Sequence, residues 1–169
     1  DASLPGELGL GVRAARDPSG ALGAWTSRDP VAIAIPDGTR GLDTAAALAA
    51  LHERLIRPGP VVVGLGLHRP MQVHELAHLN AWAPLQHDPN DCVPTGTVDG
   101  IAGAVGRPIA QAPWSISVGV GELHQYAGIS GGHKGVAVGC GGAETIAALH
   151  HRDRVLAPGI QVGRIAGNP

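Results

Sequence analysis

The stretch Val31-Ala-Ile-Ala-Ile-Pro-Asp-Gly-Thr-Arg40 decides the fold, because it reads as a short strand that runs into a polar turn. Its first five residues are apolar and three of them are β-branched, which suits a strand covered on both faces. The proline ends the strand, and the last four residues form a turn. Asp43 or Thr44 can then cap a helix over residues 45–56, where Ala and Leu dominate. A second buried strand over residues 60–67 completes a strand–helix–strand unit.

The alternation of strands and helices continues along the rest of the chain. Three further elements are predicted, a helix over 71–80, a strand over 115–120 and a helix over 143–151. Residues 83–99 are predicted to form a loop, and residues 100–108 a hairpin or short strand. Strands that alternate with helices through short turns predict an α/β fold, Rossmann-like, with a largely parallel sheet flanked by helices.

This organisation predicts one domain. Residues 1–30 are rich in Gly and Pro and have weak periodicity, which predicts an irregular N-terminal segment. Residues 31–169 hold all the predicted strands and helices and form the α/β domain. The tail after residue 156 is predicted to be loop, with one short strand at most. No internal repeat or low-complexity linker divides the chain.

Composition and charge argue against several classes of protein. The 169 residues carry a formal net charge of −2, which does not favour general electrostatic binding to nucleic acid or to an anionic membrane. The longest apolar runs are too short to span a bilayer, and no basic-then-apolar secretion signal opens the chain. We therefore expect a cytoplasmic protein. Two cysteines make no disulfide framework, whereas nine histidines hint at acid/base or metal chemistry.

Polar side chains follow each of the predicted strands. They are Asp37 and Arg40 after the first strand, His68 and Arg69 after the second, and Glu122 and His124 after the third. In sheets of this kind the ligand site lies beyond the carboxyl ends of the strands. We therefore expect the functional site at this edge, although each of these residues taken alone is more typical of a solvated or capping position.

The pattern His74-Glu-Leu-Ala-His78 is one candidate for a catalytic site. On a helix its two histidines lie on one face and could bind zinc, with Glu75 as the general base of a hydrolase. A catalytic zinc needs a third protein ligand, and His87 is a candidate that no known spacing supports. Such patterns also occur by chance in a histidine-rich chain, so an ordinary surface helix is the favoured interpretation.

A glycine-rich turn and two cysteines are weaker candidates. Gly139-Cys-Gly-Gly142 opens a predicted helix and could cradle a phosphate with its backbone N–H groups. It lacks the G-x-G-x-x-G spacing of a dinucleotide site. Cys92 and Cys140 are candidate thiol nucleophiles, but for both of them a small buried residue is the favoured interpretation.

Lys134 lies in the glycine-rich segment 130–135, between His124 and His150 in the sequence. A lysine in such a loop can carry a covalently attached cofactor, because glycines let another group approach the backbone closely. A histidine nearby can ligate a metal. These three residues therefore suggest a site for a metal-containing cofactor.

The chain resembles the N-terminal domain of the nickel-pincer lactate racemase family, because seven short motifs occur in the order of that family. They are Ile35-Pro-Asp-Gly-Thr-Arg40, Gly66-Leu-His68 followed after six residues by Glu75, Gln86-His-Asp88, Gly121-Glu-Leu-His-Gln-Tyr-Ala-Gly128, Ser130-Gly-Gly-His-Lys134, Glu144-Thr-Ile146 with His150, and Gly167-Asn-Pro169. The motifs cover about residues 31–169. The resemblance makes Glu75 part of the second motif rather than of a zinc site.

The resemblance implies a cofactor-binding domain over residues 31–169. The cofactor would be the nickel-pincer nucleotide, Ni(II) pyridinium-3,5-bisthiocarboxylic acid mononucleotide, attached covalently to the chain. Nine residues would act on it or on the substrate: Lys134 as the tether, His150 as the nickel ligand, His68 and His124 as the acid/base pair, Asp37 and Arg40 as residues that hold the cofactor or the substrate carboxylate, and Ser130, Gly131 and Gly132 as the loop that approaches the cofactor.

The implied activity is that of an isomerase, a racemase or epimerase of a small 2-hydroxy acid such as lactate, which works by hydride transfer to the cofactor and back. Each enantiomer must lose its hydroxyl proton from its own face, so two bases are needed, and histidine titrates near neutral pH. The planar guanidinium of Arg40 suits the substrate carboxylate. Which 2-hydroxy acid reacts is not defined by these residues.

The partners implied are the 2-hydroxy acid and a C-terminal domain or second subunit, with neither nucleic acid nor membrane. Family members are longer, and the C-terminal domain that closes over their site is absent from this chain. Gly41 stands where the family usually has proline, and His133 where it usually has arginine. A non-catalytic nickel-cofactor binding domain, or half of a split enzyme, therefore stays open as an alternative.

Overall fold

The computed structural model, which describes residues 29–53 and 57–168, is built around a four-stranded parallel sheet. In chain order the strands are β1 (Val31–Pro36), β2 (Pro58–Gly64), β3 (Leu85–Gln86), β4 (Cys92–Val98), β5 (Ile101–Gly106), β6 (Trp114–Ser117), β7 (Leu123–His124) and β8 (Gly128–Ile129). The central sheet has the order β3–β2–β1–β6. The predicted irregular segment 1–30 lies outside the described residues except for its last two.

Short helices connect the strands. They are α1 (Thr44–His52), α2 (Val73–Leu76), α3 (Arg107–Ala110), α4 (Lys134–Ala137), α5 (Ala143–Leu149) and α6 (Arg152–Val155), with a 3₁₀ helix over Ala77–Trp82 directly after α2. None of the helices in the described ranges has the length and apolar character needed to cross a membrane. The predicted fold, α/β and Rossmann-like with a parallel sheet flanked by helices, is confirmed.

β1 is the centre of the sheet, with parallel neighbours on both sides. Ile33 lies opposite Val61 of β2 and Ile116 of β6. The chain adds β2 on one side of β1 and later adds β6 on the other, so a topological switch point lies at the carboxyl end of β1. Open α/β sheets bind their ligands in the crevice at such a point.

Both faces of β1 are buried, which is why its sequence is apolar without a break. Ile33 and Ile35 face one side, where they join Leu48 of α1 in a fully buried cluster. Ala32 and Ala34 face the other side, next to Ile109 of α3. Alternate residues of one strand therefore serve two separate core clusters.

The first predicted helix is capped by Asp43, whose carboxylate accepts a hydrogen bond from the Ala46 backbone N–H at 3.0 Å. α1 ends at His52, and the last predicted helical residues, 54–56, lie outside the described part of the chain. The predicted second strand, 60–67, is shifted, since β2 runs over Pro58–Gly64. The residues after β2 turn into the loop that carries His68.

The prediction of a loop over 83–99 is wrong, because β3 and the whole of β4 lie there. β4 contains Pro94 and Gly96, both of which weaken a strand prediction, and its register with β5 shifts between them. The hairpin that joins β4 to β5 turns at Asp99 and Gly100, which have φ angles of 49° and 75°. Asp-Gly with both residues at positive φ is typical of a two-residue hairpin turn.

Three other predicted elements differ from the structure in extent. The strand predicted over 115–120 is β6, Trp114–Ser117, and the helix predicted over 71–80 is divided into α2 and the 3₁₀ helix. The last predicted helix ends at Leu149, and α6 follows as a separate turn. Between residues 156 and 168 the structure places turns and loop but no strand.

Candidate functional site

A cavity of about 270 Å³ lies at the carboxyl ends of β1, β2 and β6. Eight of the nine residues that the resemblance singled out line it: Asp37, Arg40, His68, His124, Ser130, Gly131, Lys134 and His150. The ninth, Gly132, lies in the same loop as Ser130 and Gly131 but is not part of the cavity wall. The fold thus brings together residues from five of the seven motifs.

Asp37 and His68 form a hydrogen-bonded pair on one wall of the cavity. The His68 Nδ1 atom lies 2.6 Å from the Asp37 Oδ2 atom, and Asp37 is almost fully buried. Burial alone would raise the pKa of Asp37, but hydrogen bonds from Thr39 and His68 outweigh burial and lower it. The carboxylate therefore accepts the Nδ1–H of His68, which leaves the Nε2 atom of the neutral ring free to accept a proton.

The loop that carries His68 is held by side-chain hydrogen bonds. Gln86 accepts from the backbone N–H of Met71 at 2.6 Å and donates to the carbonyl of Met71 at 3.0 Å. Arg69 forms two hydrogen bonds with the carboxylate of Glu75, at 2.7 and 2.8 Å. The conformation of the loop between β2 and α2 therefore depends on residues of the second and third motifs.

Because the Glu75 carboxylate is already hydrogen-bonded to Arg69, it is poorly placed to act as the general base of a zinc hydrolase. Its carboxylate also accepts the backbone N–H of Gln72, and the hydrogen bonds from Arg69 lower its pKa to about 2. The α-helix ends at Leu76, so His74 and His78 do not share a continuous α-helical face. Across residues 29–53 and 57–168, no three His, Cys, Asp or Glu side chains are placed to hold a metal ion. The structure gives this alternative no support.

The two cysteines do not have the surroundings of nucleophiles. Both are free thiols, and Cys140 is fully buried. Burial raises the pKa of the Cys140 thiol to about 12, and burial together with Asp91 raises that of Cys92. Both thiols are therefore protonated at neutral pH. The interpretation as a small buried residue holds for Cys140, whereas Cys92 is only partly buried.

Arg40 is paired with Glu122, an acidic residue from the fourth motif. The Arg40 guanidinium donates to the Glu122 carboxylate across 82 positions of sequence. The Glu122 backbone carbonyl accepts the N–H of Ser130 at 2.8 Å, which joins this pair to the glycine loop. Glu122 therefore holds one side of the guanidinium at the edge of the cavity.

Lys134 and His124 face each other in the same cavity. The Lys134 Nζ atom lies 2.5 Å from the His124 Nε2 atom. The His124 Nδ1 atom accepts the backbone N–H groups of Tyr126 and Ala127, both at 3.1 Å. Burial and the positive charge of Arg40 lower the pKa of Lys134. Burial also lowers the pKa of His124, and the nearby Lys134 and Arg40 side chains lower it further.

Glycines let α4, which begins at Lys134, lie directly on the end of β2. The backbone N–H of Gly66 donates to the carbonyl of Gly139 at 3.0 Å. A Cβ atom on Gly64 would lie 3.0 Å from the Gly139 carbonyl carbon, and one on Gly139 would lie 2.5 Å from the Gly135 carbonyl oxygen. The backbones therefore approach too closely for any side chain, and this approach places Lys134 in the cavity.

We expect Gly139→Ala to destabilise the domain by about 1–3 kcal/mol, because its new methyl group overlaps the backbone of α4. Urea unfolding followed by circular dichroism measures the free energy of unfolding. Gly41→Ala is the matched control, since a Cβ atom there meets nothing within 4 Å. An unchanged midpoint for Gly139→Ala would contradict the close approach of Gly139 to the Gly135 carbonyl of α4.

His150 caps the end of α5 and presents one free ring nitrogen. Its Nδ1 atom lies 2.8 Å from the carbonyl oxygen of Ile146, which can only accept, so Nδ1 carries the proton. The Nε2 atom of the neutral ring is then unprotonated, which is the state that binds a metal. The donor chemistry of His150 therefore fits a metal ligand in the cavity wall.

The backbone of the glycine loop approaches the backbone of Val120 closely at Gly131. Gly131 has a φ of 98°, and a Cβ atom there would lie 2.8 Å from the carbonyl oxygen of Val120. A residue with a side chain would have to displace the strand-end backbone at this point. Gly131 also forms part of the cavity wall, as Lys134 does.

Tyr126 is a cavity residue that the sequence analysis did not single out. Its ring packs edge-on against His124 and His150, with centroid distances of 5.9 and 6.5 Å. Its backbone carbonyl accepts a hydrogen bond from Asn168 at 2.8 Å, which ties the seventh motif to the site. The available signal was that Tyr126 is the one tyrosine of the chain and lies inside the fourth motif.

The fold and the cavity define an α/β domain with a cavity at its strand ends, lined by a lysine, three histidines and an arginine among other residues. The family model described as "Lactate racemase N-terminal domain" matches residues 19–163. The chain therefore belongs to the lactate racemase N-terminal domain family, which confirms the resemblance carried by the seven motifs.

Two solved structures share this fold. The lactate racemase apoprotein from Thermoanaerobacterium thermosaccharolyticum matches with a TM-score of 0.80 at 21% identity, over 89% of this chain and 39% of that chain. A Thermotoga maritima protein matches with a TM-score of 0.67 at 19% identity, over 98% of this chain and 45% of that chain. The chain thus spans less than half the length of either protein. No curated protein matches the sequence.

Proposed function

We propose that this chain is the cofactor-binding domain of a racemase or epimerase that acts on a small 2-hydroxy acid such as lactate. The observation that carries the proposal is the meeting of His68, His124, Lys134 and His150 in one cavity. His68 presents an unprotonated Nε2 atom for acid/base work, and His150 presents one for a metal. The activity itself belongs to a longer protein, since the related structures are more than twice as long as the part this chain matches.

In this proposal Lys134 and His150 hold the nickel-pincer nucleotide. Lys134 supplies the amine for covalent attachment, and the Nε2 atom of His150 supplies the nickel ligand. When bound, the cofactor supplies a reversible hydride acceptor, which a protein side chain cannot provide. The backbone of Gly131 lines the same cavity as Lys134.

His68 takes and returns the hydroxyl proton of one enantiomer. Its Nε2 atom is the free acceptor, and the Asp37 carboxylate fixes the ring and stabilises the positive charge that His68 gains. His124, on β7, serves the other enantiomer from a different wall of the cavity. Arg40 binds the substrate carboxylate through the guanidinium nitrogens that Glu122 leaves free.

We expect Asp37→Asn to lower kcat for racemisation by about 10²–10⁴-fold in the full-length protein that contains this domain. An amide N–H₂ group in place of the carboxylate oxygen would face Nδ1 of His68 and force the proton onto Nε2, which removes the base. Chiral chromatography of D- and L-lactate measures the rate. Asp43→Asn is the matched control, because asparagine caps α1 as well as aspartate does.

In the same preparation, the bound nickel and the cofactor mass should be unchanged in Asp37→Asn. A kcat equal to that of the unmodified protein would contradict the role of the Asp37–His68 pair. Loss of the cofactor together with the activity would assign Asp37 to cofactor binding, as the family resemblance also allows.

The proposed function is tested by producing the protein together with the enzymes that build the cofactor. Intact-protein mass should show an adduct of nucleotide size, metal analysis about one nickel per chain, and chiral chromatography the conversion of one 2-hydroxy acid enantiomer into the other. An adduct with nickel but no conversion, even with the C-terminal region supplied, would favour a cofactor carrier. Absence of the adduct under conditions that load a known lactate racemase would refute the proposal.

A further inference from the structure

The hydrogen bonds around His124 determine which of its ring nitrogens carries the proton. Backbone N–H groups of Tyr126 and Ala127 both point at Nδ1, at 3.1 Å. A nitrogen that accepts hydrogen bonds carries no hydrogen, so the proton of the neutral ring lies on Nε2. These contacts close the turn between β7 and β8, which means that the ring cannot flip without breaking the turn.

The protonated Nε2 atom of His124 points at an amine. Its partner is the Nζ atom of Lys134, at 2.5 Å. An ammonium group has three N–H donors and no acceptor, so it would place one donor against another. Only the neutral amine has the lone pair that can accept the Nε2–H. The hydrogen bonds at Nδ1 and the contact at Nε2 of His124 are therefore satisfied together only when Lys134 is uncharged.

The surroundings of Lys134 also favour the uncharged amine. The titratable and charged side chains that share its cavity are Asp37 and Arg40 after β1, His68 after β2, His124 and Tyr126 around β7, and His150 at the end of α5. Arg154 of α6 lines a second cavity together with Lys134. The carboxylate of Asp37 is bound to Thr39 and His68, and that of Glu122 to Arg40. No ion pair joins Lys134 to a carboxylate within the ranges that the structure describes. Burial and the charge of Arg40 act in the same direction and lower the pKa of Lys134.

We propose that His124 is a positioning residue for Lys134, which it holds as a neutral, nucleophilic amine before any cofactor is attached. This inference rests on the proposed function only in taking Lys134 as the attachment point. In this proposal His124 acts before cofactor attachment, and its acid/base role in the reaction follows later. Once the Nζ atom is acylated, its lone pair is delocalised and no longer accepts a hydrogen bond, so the Nε2–H group of His124 becomes available to donate to a substrate.

The chain is well suited to a direct test, because Lys134 is its single lysine. The probe is N-hydroxysuccinimidyl acetate, an activated acyl ester. The amine nitrogen bonds to the acetyl carbon, the bond from that carbon to the ester oxygen breaks, and N-hydroxysuccinimide leaves with one amine proton. Lys134 keeps its other hydrogen as an amide N–H. Peptide mass spectrometry separates its acetylation from that of the N-terminal amine, which serves as the internal reference.

The acetylation rate of Lys134 is measured against pH in the cofactor-free folded protein and in the same protein unfolded in urea. Because a lowered pKa increases the neutral fraction at a given pH, the folded curve should lie at lower pH than the unfolded one. Coincident curves, or a folded curve at higher pH, would overturn the proposal. This comparison needs no variant and no cofactor, so it is independent of whether the proposed racemase activity is found.

The matched variant is His124→Asn. The asparagine carbonyl can still accept the backbone N–H groups of the turn, as Nδ1 does, but no donor reaches Lys134. We expect its curve to move to higher pH, with a several-fold slower acetylation at pH 7. His133→Asn, which changes an exposed histidine next to Lys134, should leave the curve in place. An unchanged curve in His124→Asn, with the fold verified by circular dichroism, would show that His124 does not control this amine.

Discussion

Replacing Lys134 with alanine is expected to abolish covalent attachment of the cofactor. Lys134 is the only lysine of the chain, and it lies in the cavity beside His124 and His150. After production with the enzymes that build the cofactor, intact-protein mass should show the adduct in the unmodified protein and none in Lys134→Ala. Lys134→Arg keeps a long side chain that ends in nitrogen, and it should also lack the adduct, because a guanidinium is not a nucleophile at neutral pH.

The fold should persist in both variants. Lys134 begins a short helix that is held by backbone contacts of Gly135 and Gly139, and its own side chain makes a single hydrogen bond, to His124. Losing one hydrogen bond of this kind costs about 1 kcal/mol. Urea unfolding should therefore show a transition close to that of the unmodified protein. A nucleotide-sized adduct that survives in Lys134→Ala would refute the attachment site.

Replacing His150 with alanine is expected to release nickel while leaving the covalent adduct in place. The Nδ1–H of His150 is committed to the carbonyl of Ile146, so Nε2 is the atom that can bind the metal. Removing a residue that only orients a metal ligand weakens metal binding by about 10–100-fold. Removing the ligand itself should weaken nickel binding by at least as much. Metal analysis after dialysis should show about one nickel per unmodified chain and little in the variant.

The matched control for this prediction is His151→Ala. His151 is the next residue along the chain, is exposed to solvent and does not line the cavity. Its replacement should leave the nickel content unchanged. Equal nickel retention in His150→Ala and the unmodified protein would contradict the ligand role, whereas loss of both nickel and adduct would show that His150 acts before attachment.

The order of strands and helices could largely be predicted from the sequence. β1 and β2 are buried on both faces, which requires uninterrupted apolar runs, and such runs are visible without a structure. β4 was missed because Pro94 and Gly96 interrupt it, and a two-stranded hairpin tolerates residues that a central strand would not. The Asp99-Gly100 turn was a readable signal for that hairpin.

The residues that line the cavity could also be predicted in large part. The polar ones follow strands whose carboxyl ends meet at one edge of a parallel sheet. Asp37, His68 and His124 were singled out in this way, and the glycine-rich loop around Lys134 pointed to Lys134 and His150. Tyr126 was not singled out, since a lone aromatic residue between Gln125 and Ala127 has no spacing that indicates a cavity wall.

Only the tertiary structure decided which of these side chains pair. The Asp37–His68 and Arg40–Glu122 pairs join residues 31 and 82 positions apart. Periodicity reports whether a residue is buried, but it does not report its partner, which depends on strand order and on close backbone approaches such as that of Gly64 to Gly139. The protonated nitrogen of each histidine depends on those partners. The sequence by itself therefore determined the candidate residues of the site, and the packing of the sheet determined their chemical states.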